Sequence, residues 1–112
     1  MLIDFDKIAE ENVMNFKGGQ GELLTRNYSD GKCKIMRSCL RPGALSGLHT
    51  HEGNCEIVYV LSGTATFHYD GNEETVCAGQ VHYCPEGHSH YMENRTDKDL
   101  EYFAIVPEHH VK

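Results

Sequence analysis

The sequence predicts an all-β fold, a barrel or a sandwich built from many short strands. Two observations carry this. Short runs of β-branched and aromatic residues recur along the chain, with Gly, Pro, Asn and Asp between them. One of these runs, Glu56-Ile-Val-Tyr-Val-Leu61, is apolar on both faces, the pattern of a strand covered on both sides. At 112 residues the chain has room for one domain (residues 1–112) and one core.

Taken in order, residues 1–16 mix apolar and acidic positions and read as an N-terminal arm, with Ile8, Val13 and Phe16 available to pack on the barrel. Lys17-Gly-Gly-Gln-Gly21 reads as a flexible break. Residues 22–28 form a strand, Ser29-Asp30-Gly31 a turn, and residues 34–40 a second strand ended by Arg41-Pro42-Gly43. Strands follow at 56–61, 64–69 and 75–78, the last two joined through Asp70-Gly71-Asn72, a good hairpin turn. Residues 81–84 are a short strand stopped by Pro85. The last two strands are 91–94 and 100–106, joined across 95–99, and the tail from Pro107 to Lys112 is expected to fray or pack loosely.

Composition narrows the function. Ten basic against seventeen acidic residues give a net charge of −7, which argues against nucleic acid or an anionic membrane surface as partner. No apolar stretch approaches the ~20 residues of a membrane helix. The first residues show no basic region followed by an apolar run, so the sequence points to a cytoplasmic protein. Its five cysteines are then best read as reduced thiols.

The chemistry concentrates between Gly43 and Glu56. His49 and His51 lie two apart, so on an extended strand both side chains leave one face. Glu52-Gly53-Asn54-Cys55 is turn-like and can bring Glu56 back beside the imidazoles. Imidazole and carboxylate together suit a divalent transition metal. If Glu56 faces inward, Val58 and Val60 do too, and Ile57, Tyr59 and Leu61 face outward. A second copy of the chain is the simplest cover for that outer face, which predicts a homodimer. The residues alone do not rank His90 above His68, His82 or His88 as a fourth ligand.

With these residues in place the chain resembles the cupin family. Gly43, His49, His51, Glu56 and Gly63 fill the family's first motif, with four residues between His51 and Glu56. Gly79, Pro85, Gly87, His90 and Asn94 fill the second, fifteen residues further on. The resemblance implies a double-stranded β-helix, a small jelly-roll barrel, with His49, His51, Glu56 and His90 holding Mn, Fe, Zn or Ni inside. It implies a metalloenzyme with dioxygenase-like or oxalate-decarboxylase-like chemistry on a small polar or carboxylate-bearing molecule. The alternative is a metal-bound sensor or carrier without turnover, and a third reading makes the metal a structural staple.

Other residues have two readings each. His82 is the candidate catalytic acid or base if it faces the cavity, and otherwise a surface or hydrogen-bonded histidine. Glu52, Glu86 and Glu93 are candidate proton donors by proximity. Arg37 is either a carboxylate-binding group or a solvated cation. Cys39 and Cys84 either line the pocket or pack as small apolar residues. Asn94 is expected to hold a turn by hydrogen bonding.

Overall fold

In the computed structural model, which describes residues 1–109, alternation along the strands turns one side of each sheet inward. Among the described residues there are ten strands: β1 (Glu11–Met14), β2 (Glu22–Ser29), β3 (Cys33–Leu40), β4 (His49–Thr50), β5 (Glu56–Ser62), β6 (Thr64–Tyr69), β7 (Asn72–Cys77), β8 (Val81–Cys84), β9 (Ser89–Glu93) and β10 (Leu100–Pro107). They form a six-stranded sheet, β1-β2-β3-β10-β5-β8, and a four-stranded sheet, β4-β9-β6-β7. All strand pairs are antiparallel. This is an all-β fold, as the strand pattern predicts, and the jelly-roll architecture that the family resemblance implies.

Strand β10 shows the alternation best. Leu100, Tyr102, Ala104 and Val106 are buried and the residues between them are less so. On β5, Val58 and Val60 point inward and Tyr59 and Leu61 outward, the phase expected from Glu56. Phe67, Leu40, Leu23, Ala65 and Met92 complete the core between the sheets. The Asp70-Gly71 turn takes positive φ at both residues (49° and 82°), the two-residue hairpin geometry that matches strand twist.

The structure departs from expectation at three places. Part of the arm is a strand: β1 pairs with β2 and extends the large sheet, and Val13 and Phe16 pack against the core. Arg26 fixes the rest of the arm by donating to the carbonyls of Ile8 (2.8 Å) and Phe5 (3.2 Å). The Lys17–Gly21 break is tightly packed rather than loose. A Cβ on Gly19 would lie 2.0 Å from the Leu45 carbonyl oxygen, and one on Gly47 would lie 1.8 Å from that of Lys17. Only glycine lets these two backbones touch. The tail from Pro107 to His109 is held, because Glu108 N donates to Lys32 O (2.8 Å) and His109 N to Gly53 O (2.7 Å). His110, Val111 and Lys112 lie outside the described residues.

Asn94 closes the junction after β9. It is fully buried, its amide donates to Leu40 O (2.9 Å) and Lys98 O (2.8 Å), and its carbonyl accepts from Thr96 N (3.0 Å) and Thr96 Oγ1 (2.8 Å). Truncation would strand several buried polar groups, each worth about 1–3 kcal/mol. Asn94→Ala should therefore lose roughly 3 kcal/mol in urea unfolding. A loss below about 1 kcal/mol would show that the turn holds itself.

Candidate metal centre

Both sheets contribute to one cluster of side chains. His49 lies on β4 and His90 opposite it on β9, so the antiparallel register brings these two imidazoles together, edge to face at 4.7 Å. His51 follows β4, and a turn with Gly53 at φ 75° returns the chain to Glu56 at the start of β5. One donor atom from each of His49, His51, Glu56 and His90 lies within 4.8 Å of all the others. His90 Nε2 stands 3.0 Å from His51 Nε2, 3.1 Å from His49 Nε2 and 2.9 Å from Glu56 Oε1. Glu56 Oε1 is 3.2 Å from His51 Nε2 and 4.0 Å from His49 Nε2.

These separations fit a metal ion. Donors at right angles, about 2.1 Å from one centre, stand roughly 3 Å apart, and opposed donors about 4 Å. Four such donors do not close the shell of a six-coordinate ion, which speaks against a purely structural staple. The outer nitrogens support the same arrangement. His49 Nδ1 donates to the Gly47 carbonyl (2.8 Å) and His51 Nδ1 to the Asn54 side-chain oxygen (2.7 Å). Each of these bonds leaves the Nε2 lone pair free to face the centre.

Electrostatics bind the cluster together. Burial alone would raise the pKa of Glu56. With a proton rather than a metal between the groups, His49, His51 and His90 overcome that effect and hold it well below the ordinary carboxylate range. The bond to Glu56 raises the pKa of His51 against its own desolvation. Nearby, burial and then the Glu56 charge push the Tyr102 phenol up, so Tyr102 keeps its proton and remains a donor.

The cluster sits in a cavity of about 240 Å³ between the sheets. Small-molecule sites of drug size start at about 300 Å³, so this one suits a small ligand. Leu23, Met36, Val58, Phe67 and Met92 give it apolar walls. Thr25, Ser38 and Tyr102 add hydroxyls, and Thr25 Oγ1 lies 2.7 Å from Ser38 Oγ. Lys17, Lys34, Glu52 and Glu108 also line it.

The other sequence candidates are placed as follows. His82 does not line the cavity. It is buried behind His90, its Nε2 2.9 Å from His90 Nδ1, with the Phe67 ring stacked on it at 3.7 Å. Burial lowers its pKa, against the influence of Glu74. Arg37 and Cys39 have the outward phase of β3, and Arg37 pairs with Glu101 (3.4 Å). Cys84 is fully buried and packs away from the cavity, and burial pushes its thiol up to about 12. Of the three candidate proton donors only Glu52 reaches the cavity. Glu86 pairs with His109, and Glu93 with His68 and Arg95. Sequence reasoning missed Thr25, Ser38 and Lys34. Period-two counting back from Leu40 and on from Leu23 reaches all three.

Residues 36–106 match the family model described as "Cupin domain". The chain belongs to the cupin family. An oxalate-binding protein of Thermotoga maritima is 37% identical over 112 residues, covering 95% of this cupin and 93% of that protein. Oxalate decarboxylase OxdC of Bacillus subtilis is 37% identical over 113 residues. That match takes in 93% of this cupin but only 29% of the decarboxylase. A crystal structure from Thermotoga maritima, described as that of a predicted oxalate decarboxylase, superposes with a TM-score of 0.89 at 34% identity, covering 96% of this cupin and 99% of that chain.

Metal and proton compete for these ligands. A raised His51 pKa means its imidazole still carries a proton at the ordinary titration point of histidine. Metal binding must expel that proton. Affinity for Mn2+ should therefore rise with pH through the neutral range, and titration in weak buffer should release protons. Metal affinity independent of pH between 6 and 8, roughly the histidine range, would contradict this.

Proposed function

We propose that this cupin binds a small dicarboxylate of the oxalate type through a divalent metal held by His49, His51, Glu56 and His90. The observation that carries the reading is an open set of four donors lining a small cavity, in a chain matched along 95% of its length by an oxalate-binding protein.

A divalent ion offset by the Glu56 carboxylate supplies about one net positive charge and Lewis acidity. The chain's own groups do the rest. Tyr102, kept protonated, offers a hydroxyl donor on the wall formed by the large sheet. Lys17 and Lys34 share the wall with Glu52 and Glu108, so these four charges offset one another and the charge of the ion dominates. Val58, Phe67 and Met92 exclude water, which strengthens every charge interaction inside. Oxalate should bind to Mn2+-loaded protein in calorimetry and should cease to bind after chelation or in Glu56→Ala. Oxalate binding that survives both treatments would overturn the proposal.

A second reading adds turnover. Decarboxylation needs a proton delivered to carbon, and Glu52 is an exposed carboxyl on the cavity wall. Under this reading Mn2+-loaded protein converts oxalate to formate and CO2, and Glu52→Gln loses that activity while still binding oxalate. Absence of formate leaves the binding reading alone. The five free thiols favour a reducing compartment, which supports placing the protein in the cytoplasm.

We also propose that a second copy of the chain covers the outer face of β5 and β8. Tyr59, Leu61, Val81 and Tyr83 are 40%, 40%, 54% and 52% exposed there. Tyr59 faces Val81 across the ladder and Ile57 faces Tyr83, so the patch is continuous. Strand β8 is also the free edge of the large sheet. Sedimentation should give a dimer at micromolar concentration and a monomer for Tyr83→Glu. A monomeric parent would refute it.

A further inference from the structure

His90 differs from the other two histidine ligands in what its outer nitrogen meets. His49 and His51 each donate to an oxygen, which can only accept. His90 Nδ1 meets another imidazole, His82 Nε2, at 2.9 Å. An imidazole nitrogen can either donate or accept, so this contact alone does not decide where the proton sits. The next contact decides it. His82 Nδ1 is hydrogen-bonded to the Glu74 carboxylate, and an ionised carboxylate only accepts.

We infer that Glu74 is a positioning residue for the metal centre, acting through His82 to fix the tautomer of His90. With Glu74 accepting, His82 carries its proton on Nδ1 and presents a bare Nε2. His90 must then carry its proton on Nδ1, which leaves its Nε2 lone pair facing His49, His51 and Glu56. In the reversed arrangement His82 donates from Nε2 and the proton of His90 moves to Nε2. There it would bond Glu56 Oε1, 2.9 Å away, and block the metal position. That state would leave the Glu74 carboxylate against a bare nitrogen, lone pair to lone pair. Glu74 thus selects the metal-ready state of two rings in series.

The placement fits such a role. The chain of contacts runs from β9 of the small sheet to β8 of the large one and back to β7 of the small one. The His82 side chain is wholly buried, whereas that of Glu74 is 45% exposed. Glu74 has the same strand phase as the buried Val76, which turns it toward the seam where His82 lies. Removing a half-exposed side chain at a sheet edge should cost the fold little.

This inference rests on the metal-binding reading above, and one experiment separates the two. Co2+ affinity is measured by chelator competition for the parent protein, Glu74→Ala and Glu74→Gln, together with the visible Co2+ spectrum and the melting temperature without metal. Outer partners of metal-bound histidines are worth about 10–100-fold in affinity. Glu74→Ala should weaken Co2+ binding within that range and alter the spectrum, with its metal-free melting temperature close to the parent's, because water entering at the half-exposed Glu74 position can accept the His82 proton. Glu74→Gln, whose amide oxygen still accepts the His82 proton, should recover most of the affinity. Parent-like affinity and spectrum in Glu74→Ala would overturn the role while leaving the metal site intact. An equal loss in both variants with lowered melting temperatures would reduce Glu74 to a structural contact and overturn it as well. A parent protein that binds no Co2+ would sink the metal reading itself and this inference with it.

Discussion

The largely enclosed carboxylate of Glu56 is the constraint around which the rest of this cupin is arranged. An isolated charge inside a small barrel is costly, and a lone carboxylate there would take up a proton. Three imidazoles within reach of Glu56 reverse that tendency and keep it ionised. The fold therefore has to deliver four polar side chains from three stretches of chain to one point. Errors of an ångström at that point would leave polar groups unpaired. None of the buried side-chain polar atoms among the described residues lacks a partner.

Much of the precision comes from backbone contacts of residues that are not themselves ligands. Gly19 and Gly47 allow the segment after the arm to lie directly on the segment that leads into β4. Gly47 N donates to Phe16 O at 2.9 Å, and the Gly47 carbonyl accepts from His49 Nδ1 at 2.8 Å. One residue thus anchors the chain on one side and orients a ligand on the other. On the far side of the site, Asn94 ties the end of β9 to the end of β3, and this holds the strand that carries His90 in register.

What could be read from the sequence follows from how local the signal was. His49, His51 and Glu56 declared themselves because a period of two and a short turn are local facts. The two-faced apolar pattern of β5 was equally local. His90 could be singled out only through family resemblance, since its place depends on a strand pairing across 41 residues. The contact of His82 with His90 was hidden for a like reason, as strands of different sheets bring the two rings together. The Lys17–Gly21 segment was misjudged because glycine signals both looseness and close approach. Only the position of its partner segment tells these apart.

A cation gripped from both walls of the barrel also acts as a cross-link. His51 and His90 lie 39 residues apart in the chain, and an ion joining them ties off a long loop much as a covalent bridge would. Any species that binds the folded form alone deepens its stability with the logarithm of its free concentration. With an ion bound there, the lifetime of this barrel would be coupled to how much free divalent ion surrounds it, and depletion of that ion would hand the chain to proteases sooner.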